Sequence, residues 1–538
     1  MKEVKRVFKV DGKPFFPLGV QSCNSSGYNE KESDTAFKVV KLLHGNTLEI
    51  PVYWDTIEPR EGEFDFTMVD SLLAGARQYG LKLILLWFAS WKNGNMDYTP
   101  AWVKTNPARF KRVISPTGKD IWDLSSHCQA NLDADRRAFV AFCAHLKVKD
   151  SIEHTVIALQ IQNEPGIFGS DRDYGPEGQA AYDSPVPVKL VTAMKKSGKG
   201  RIYEIWQEAG GKETGSWPEL FGWEGGELMS AWSIAGYIDS IAAAGKAVYS
   251  IPMLVNVWMM EQNWYSLPGE SYPSGGAVTK VIDIYKWFAP HLDIIAPDNY
   301  PEDSRSYEAN CANYYRDDNP LFTPESAGDQ NMFRALADYN LIGNFFFGAE
   351  YLVDENYAVR AKYQSLVDNF HIVSAAVPLL LKYQGTGKIH AVIQEAKQLT
   401  QTLDLDGFMG IIDLGEQGSA RGNGKDWRHN AGYVWAEQPA ANNGRGLVIQ
   451  SARNEFYLIG TSFRLFLRPK LTLEKMQPNL LVMPGSIKMY ANIVSVDEGH
   501  FNGQGEFVAD RRRNGDEVGR RGLWVEPNIG VLRVITCD

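Results

Sequence analysis

The chain has 538 residues, which is long enough for two or three domains rather than one core. Hydrophobic residues make up 44% of it and the mean hydropathy is −0.29, values typical of a soluble globular protein. The formal net charge of −10 and the pI near 5.5 argue against nucleic acids and anionic membranes as partners.

The five cysteines are widely spaced and form no CxxC pair or Cys/His cluster, so neither a disulfide framework nor a metal site is predicted. The N-terminus has no apolar signal region before Asp11, and no run of about 18 apolar residues stands out as a membrane span. We therefore expect a cytoplasmic protein with no membrane partner. A signal peptide upstream of this sequence would instead direct it to the periplasm or outside the cell.

From about Phe16 to about Lys362, short apolar runs alternate with helical patterns, as in consecutive βα units. The runs predicted as strands are Phe16–Val20, Asn46–Pro51, Leu81–Trp87, Val156–Ile161, Met253–Val257, Leu292–Ala296, Pro320–Thr323 and Ile342–Phe347. This pattern predicts an α/β fold, a (β/α)8 TIM barrel over residues 10–370. A doubly wound open sheet is the main alternative, but it would not use eight strands so evenly.

The stretch between the fourth and fifth strands is too long for one crossover connection. Gly166–Gly225 is rich in Gly, Pro, Asp and Trp. Long connections in compact domains are usually functional. We therefore predict an elaborated inserted loop over the catalytic face, closing into a helix near Glu227–Ala244.

The pattern changes after residue 370. Helical stretches at His371–Tyr383 and Ile389–Thr402 predict a helical connection over residues 371–403. Residues 404–538 are predicted to form an antiparallel β-sandwich. The alternating pattern over 463–468 predicts a half-exposed strand, and turns are predicted at 442–444, 502–503 and 514–515. The Arg511–Arg513 run is predicted to be a solvated loop.

Two glutamates follow apolar strand-like runs far apart in the chain. Glu164 lies in the string Gln162-Asn163-Glu164-Pro165, and Glu325 in Phe322-Thr323-Pro324-Glu325-Ser326. A parallel barrel brings the C-terminal ends of its strands to one face, so the two carboxyls are expected to meet there. Retaining hydrolysis of a glycosidic bond needs such a pair, about 5–5.5 Å apart.

Each residue near the pair has a predicted role and a simpler alternative. Glu164 is the predicted general acid/base, unless it is a surface carboxylate, and Glu325 is the predicted nucleophile. The amide of Asn163 could bind a sugar 2-hydroxyl or merely cap the backbone. Tyr300, after the sixth strand, could hydrogen-bond the nucleophile and hold it ionised, or could be a core tyrosine.

Aromatic and polar side chains at other strand ends are weaker candidates for binding substrate. Flat rings suit the C–H faces of sugars, but most aromatics pack cores. The candidates for stacking on a sugar are Trp87, Trp91 and Trp258, and the polar candidates are Gln21, Asn24, Glu49 and Glu350. Glu49 and Glu350 could instead join structural ion pairs.

The strings around Asn163-Glu164-Pro165 and Glu325 resemble the acid/base and nucleophile signature of glycoside hydrolase clan A. The segment Tyr53–Phe66 (YWDTIEPREGEFDF) resembles the W…EP.EG.FDF segment of the β-galactosidases of families 35 and 42. The resemblance covers about residues 10–370, and the later sequence looks like the β-rich domain of a bacterial family-35-like branch.

This resemblance implies exo-action on terminal β-D-galactosides with net retention and without a metal or organic cofactor. The insertion at Gly166–Gly225 and the atypical eighth strand around Gly343–Gly348 depart from the pattern and could reshape the pocket. Other clan A activities stay open, among them β-glucosidase, β-mannosidase and endo-glycanase. A carbohydrate-binding protein on a catalytically dead barrel is a further alternative, but it would need neither glutamate. The expected partner is an oligosaccharide or glycoside, and assembly into a homo-oligomer stays open.

Overall fold

The computed structural model describes residues 6–262, 265–328, 330–414, 444–470, 490–518, 522–526 and 530–537. Residues 442 and 443 of the first predicted turn lie outside the described residues. The strands before residue 350 are β1 (Phe8–Val10), β2 (Lys13–Phe15), β3 (Leu18–Gln21), β4 (Thr47–Tyr53), β5 (Lys82–Lys92), β6 (Arg112–Ile114), β7 (Asp120–Leu124), β8 (Val156–Asn163), β9 (Met253–Val257), β10 (Ile294–Pro297) and β11 (Asn344–Phe347).

The described α-helices all lie before residue 384. They are α1 (Glu30–Leu42), α2 (Trp54–Ile57), α3 (Thr67–Tyr79), α4 (Ala101–Lys104), α5 (Gln129–Asp150), α6 (Pro176–Asp183), α7 (Val188–Ser197), α8 (Arg201–Glu208), α9 (Trp217–Phe221), α10 (Gly225–Val248), α11 (Ile282–Phe288), α12 (Ser304–Tyr314), α13 (Met332–Asp338) and α14 (Gln364–Tyr383).

The central sheet is a closed parallel barrel. Seven strands are hydrogen-bonded in the order β10-β9-β8-β5-β4-β3-β11, and every pairing is parallel. Residues 321–326 fill the gap between the two edges, because Thr323 bridges in parallel to Asn344 and Ser326 bridges in parallel to Asn299. With helices α1, α3, α5, α10, α11, α12, α13 and α14 between or after the strands, this is the predicted (β/α)8 TIM barrel.

The barrel strands are buried on both faces, as parallel strands between an inner core and a helical layer must be. Side chains alternate along β5: Ile84, Leu86 and Phe88 belong to the small core inside the barrel, whereas Leu85 and Trp87 belong to the large core under the helices. The predicted strand Leu81–Trp87 therefore ends five residues too early, since β5 continues to Lys92.

The insertion between β8 and α10 is folded, which corrects the prediction of an elaborated loop. It contains the short helices α6 to α9, and apolar residues such as Leu190 and Trp217 are buried in the large core. The high Gly and Pro content ends each helix after one to three turns, so the composition resembled that of a loop. Helix α10 then begins at Gly225, close to the predicted start at Glu227.

The C-terminal part is an antiparallel sandwich, as predicted. Its strands are β12 (Ile389–Ile393), β13 (Thr400–Leu405), β14 (Phe408–Asp413), β15 (Arg445–Ala452), β16 (Glu455–Thr461), β17 (Phe463–Pro469), β18 (Ile493–Phe501), β19 (Phe507–Arg513), β20 (Leu523–Val525) and β21 (Val531–Thr536). One sheet has the order β12-β15-β16-β21-β18-β19 and the other β13-β14-β17-β20, with a separate apolar core between them.

The predicted helical connection over residues 371–403 is wrong in its second half. Helix α14 ends at Tyr383, and the predicted helix Ile389–Thr402 is replaced by β12 and the start of β13. Pairing with β15 buries Val392 and Ile393, so tertiary contacts outweigh the weak helical pattern of this stretch.

The Arg511–Arg513 run is not the predicted solvated loop but the end of strand β19. The Arg513 guanidinium is buried, pairs with Glu498 at 2.7 Å and lies 3.6 Å from the ring centre of Trp524. Arg512 pairs with Asp497 on the neighbouring strand. Alternation along a strand places successive arginines on opposite faces, which a charge run does not reveal.

Among the described residues, 361–383 form one helical stretch that is long and apolar enough to cross a membrane by length and composition only. Half of its most apolar window is buried in the fold. It includes α14, the last helix of the barrel, whose residues Phe370 and Val373 belong to the large core together with Ile449 and Ile459 of the sandwich. Packing between barrel and sandwich therefore accounts for its apolar surface.

Candidate active site

Glu164 and Glu325 meet at the C-terminal mouth of the barrel. Glu164 directly follows β8, and Glu325 follows the strand segment around Thr323. They are only 7% and 5% exposed. One oxygen from each of these carboxyls and one from Asp298 all lie within 4.8 Å of one another. This spacing suits a direct attack by one carboxylate on a carbon whose leaving group the other protonates.

The backbone that presents Glu164 is strained. Gln162 has φ 62° and Glu164 has φ 45°, a left-handed conformation that costs non-glycine residues about 1–3 kcal/mol each. Side chains hold it in place: Gln162 Nε2 donates to Asp135 at 2.7 Å, and the Glu164 backbone N–H donates to Asn256 Oδ1 at 2.8 Å. Strain of this kind is characteristic of functional sites, where surrounding contacts enforce an otherwise unfavourable geometry.

Glu325 accepts hydrogen bonds from three side chains. The Tyr300 hydroxyl donates to Oε2 at 2.7 Å, and the Asn163 and Asn256 amides donate to Oε1 at 3.3 and 3.4 Å. Burial, followed by the charge of Glu325, raises the pKa of Tyr300, so the phenol keeps its proton. Donors on both oxygens favour the ionised carboxylate that a nucleophile requires.

Glu164 has a different environment. Burial first, and then the charge of Glu325, raise the pKa of the Glu164 carboxyl to about 7, against a smaller lowering effect of Lys92. A carboxyl with this pKa keeps its proton in weakly acidic to neutral water and can give it up there, as a general acid must. The two carboxyls thus have environments that favour opposite protonation states.

Lys92, which the sequence analysis did not single out, orients Asn163. Its ammonium group is nearly buried at the end of β5 and donates to Asn163 Oδ1 at 2.7 Å. It also contacts the Asn93 side chain. With its oxygen bound to Lys92, the Asn163 amide must turn its NH2 group towards Glu325. A lysine closing an apolar strand run was the available signal.

Asn256 and Asp298 were also missed. Asn256 interrupts the apolar run of β9, and Asp298 directly follows β10; both are fully buried. Asn256 Nδ2 donates to Asp298 Oδ2 at 2.9 Å, and an oxygen of Asp298 lies within 4.8 Å of one of Glu164. A polar residue inside a buried strand pattern is a detectable signal, but the sequence does not show which residues it meets.

The predicted sugar-stacking residues separate into two groups. Trp87 is fully buried on the outer face of β5, where it donates to Asp135 at 2.8 Å and packs on Phe142, so it cannot contact a sugar. Trp91 is fully buried too and packs on Tyr237. Trp258 is half-buried beyond β9, where it stacks on Phe168 with 5.6 Å between ring centres, and it stays a predicted substrate contact.

Of the weaker polar candidates, Gln21 and Glu49 contact each other inside the barrel, whereas Asn24 and Glu350 form contacts beyond β3. Gln21 donates to Glu49 at 3.3 Å, and burial raises the pKa of Glu49 well above its usual range. Glu350 accepts from the backbone N–H of Cys23 at 2.9 Å and also from a serine hydroxyl, so it joins the chain after β3 to that after β11, and it has no ion pair with any described residue. The backbone oxygen of Asn24 accepts from the Tyr53 hydroxyl at 2.7 Å.

The segment Tyr53–Phe66, which carries the family resemblance, supports the barrel rather than the chemistry. The buried carboxylate of Glu58 accepts from the Trp54 indole at 2.9 Å and from the Gly62 backbone at 2.8 Å. It also pairs with Arg137 of α5 at 2.8 Å. The segment therefore fastens the loop after β4 to the helical layer.

Two family profiles match this chain. Residues 24–206 match the glycoside hydrolase family 42 profile described as "Beta-galactosidase", and residues 366–524 match one described as "Domain of unknown function (DUF5597)". The resemblance to family 42 predicted from the sequence is thereby confirmed over the first of these ranges. The second range spans α14 and most of the sandwich.

A "Beta-galactosidase" from Xanthomonas manihotis is 29% identical over 152 residues, which are 26% of this chain and 22% of that protein. The chain thus spans less than a quarter of that relative's length.

Three solved structures give TM-scores of 0.47. They are the catalytic domain of a beta-amylase from Paenibacillus polymyxa (13% identity, 66% of this chain and 97% of that one), a beta-galactosidase from Marinomonas ef1 (12%, 69% and 60%) and one from Rahnella sp. R3 (15%, 70% and 58%). At these values the likeness carries no information about activity.

Proposed function

We propose that this protein is a retaining, exo-acting glycoside hydrolase that cleaves terminal β-D-galactosides by double displacement. The observation that carries the proposal is the pair Glu164 and Glu325, whose carboxyl oxygens lie within 4.8 Å in environments that favour opposite protonation states. The match of residues 24–206 to a β-galactosidase profile supports the choice of sugar.

In the first step, a carboxylate oxygen of Glu325 attacks the anomeric carbon of the bound sugar. The bond from this carbon to the leaving oxygen breaks, and Glu164 gives its proton to that oxygen. The Asn163 amide lies 3.3 Å from Glu325 and is placed to bind the sugar 2-hydroxyl as charge develops on the ring. The products are the free leaving group and a glycosyl ester of Glu325.

In the second step, water replaces the leaving group. The Glu164 carboxylate takes a proton from the water while the water oxygen attacks the anomeric carbon, and Glu325 leaves as a carboxylate. Two inversions at one carbon give net retention. Tyr300 donates to the Glu325 carboxylate in the free enzyme and is placed to donate to it again as it leaves.

The test exchanges each glutamate for alanine and adds azide. E325A should abolish turnover, and azide should restore it while giving the glycosyl azide of inverted configuration. E164A should spare the glycosylation step for dinitrophenyl galactosides, whose leaving group needs little protonation, and azide should give the product of retained configuration. On poor leaving groups the loss in E164A should be about 10²–10⁴-fold.

Two results would contradict the proposal. Azide products with exchanged configurations would reverse the two roles, and full activity in both variants would place the chemistry elsewhere. A panel of nitrophenyl glycosides with the wild-type protein tests the sugar. Preference for a glucoside or a mannoside would favour another clan A activity, and binding without hydrolysis would favour a non-catalytic barrel.

A further inference from the structure

A third carboxyl lies in the site beside the two glutamates, and the mechanism above does not use it. Asp298 is fully buried after β10, and one of its oxygens is within 4.8 Å of both Glu164 and Glu325. Burying a charged carboxyl is costly unless a partner compensates it. A buried acid in contact with a reacting acid therefore calls for a physical account.

The orientation of Asn256 fixes the direction of the hydrogen bonds around Asp298. Asn256 Oδ1 accepts from the Glu164 backbone N–H at 2.8 Å, and only an oxygen can accept there. Its NH2 group therefore faces Asp298 Oδ2 at 2.9 Å and Glu325 at 3.4 Å. Asp298 accepts from Asn256, and one of its oxygens lies within 4.8 Å of an oxygen of the Glu164 carboxyl.

The charges around Asp298 disfavour its ionised form. The groups that face it are the carboxyls of Glu164 and Glu325, the ammonium of Lys92 and the phenols of Tyr300 and Tyr314. Lys92 is the one cation among them, and the nucleophile Glu325 must be ionised to attack. Burial first, and then Glu325 and Glu164, raise the pKa of Asp298 well above its usual range. Carboxyls this close cannot all ionise.

We infer that Asp298 is a protonated positioning residue that donates a hydrogen bond to the carboxyl of Glu164 and so fixes the orientation of the acid/base. This bond occupies one oxygen of Glu164, so the catalytic proton is left on the other, facing the leaving group. After that proton has left, the same bond stabilises the Glu164 carboxylate. The inference rests on the proposed function, because it assigns Glu164 the acid/base role.

Two substitutions separate a neutral Asp298 from an ionised one. An asparagine has the shape of a protonated aspartic acid: its oxygen can accept from Asn256, and its NH2 group can donate to Glu164. D298A removes both interactions. D150N is a matched control at the opposite end of the barrel, where the buried Asp150 carboxylate accepts from the backbone of Thr155 and Val156.

The measurements are kcat/KM against pH for good and poor leaving groups, together with the melting temperature. D298A should lose about 10²-fold on poor leaving groups, as expected for a misplaced catalytic group, and less on dinitrophenyl galactosides. Its alkaline limb should move to higher pH, because a donor to the Glu164 carboxylate is gone. D298N should recover most of this loss with the alkaline limb close to that of the wild type. D150N should lower the melting temperature without changing the ratio of kcat/KM between the two substrates.

Two outcomes would overturn the inference. If D298N moves the alkaline limb to clearly lower pH, then Asp298 is ionised in the wild type and raises the pKa of Glu164 by its charge. If D298A reduces kcat/KM equally for both substrates and behaves like D150N, the role of Asp298 is only structural.

An infrared difference spectrum between the wild type and D298N at neutral pH tests the protonation without substrate. The C=O stretch of one protonated carboxylic acid should disappear in D298N. If the wild type hydrolyses no glycoside but the band is present, the proposed function fails and the protonation of Asp298 stands. If the enzyme is active and the band is absent, the inference fails and the proposed function stands.

Discussion

Replacing Tyr300 by phenylalanine removes one hydrogen bond from the nucleophile and leaves the ring. The phenol donates to Glu325 Oε2 at 2.7 Å, a short contact, whereas both amide donors reach the other oxygen at 3.3 Å or more. Tyr300 is only partly exposed, so water has limited access to the position of the lost donor. The perturbation therefore acts on one oxygen of one catalytic group.

The size of the effect follows from the type of bond. A hydrogen bond to a charged group contributes about 1.5–3 kcal/mol. The free enzyme has this bond too, so kcat/KM falls by at most about 10- to 150-fold, the limit for a bond that is made only in the transition state.

The assay is kcat/KM for a nitrophenyl galactoside across the pH range in the wild type and Y300F, with the melting temperature as a control for folding. The alkaline limb should stay near the pKa of Glu164, about 7. A loss of activity that comes with a lowered melting temperature would refute the reasoning, because the substitution would then act on folding rather than on Glu325. An unchanged kcat/KM would refute it as well.

Two further substitutions test the surroundings of the site and the sandwich. The positive charge of Lys92 lowers the pKa of Glu164, so K92M should move the alkaline limb of the pH profile to higher pH. The value of kcat should fall as well, because the Asn163 amide loses its hydrogen bond to Lys92. A shift of the limb to lower pH would contradict this reasoning. R513M should lower the free energy of unfolding of the sandwich, but by less than the about 3–5 kcal/mol expected for an unpaired buried charge, because Arg511 still pairs with Glu498 at 2.9 Å. R512M, a control whose arginine is 65% exposed although its partner Asp497 is buried, should cost less than R513M, and equal losses in urea unfolding would show that burial of the arginine does not decide the effect.

Strand positions were predictable because each barrel strand is a buried apolar run. Met253–Val257 is found as predicted, since its apolar run has clear ends. The end of β5 was not, because Trp87 to Lys92 continue the strand as a mix of aromatic and polar residues. That error of five residues placed Trp87 at the mouth of the barrel, although alternation along the strand points it outwards.

The polar contacts of the site were less predictable than the two glutamates. Glu164 and Glu325 stand out because each directly follows a strand. Lys92, Asn256 and Asp298 come from three different strand ends, and their contacts exist only once the barrel has closed. A single sequence shows that Asn256 interrupts an apolar run, but it does not show that its amide joins the residues after β8 and β10.

The net charge of these side chains stays the same throughout the proposed reaction. Before the reaction Glu325 carries the negative charge, Lys92 is linked to it through the Asn163 amide, and Glu164 and Asp298 are neutral. When Glu325 forms the glycosyl ester, its charge disappears and Glu164, having lost its proton, carries one in its place. The charge of Glu325 is a cause of the raised pKa of Glu164, so that pKa falls in the intermediate. Glu164 then stays ionised until water arrives, while Lys92 compensates one negative charge in both steps. The buried site therefore never holds two ionised carboxylates at once, which its low polarity would make costly.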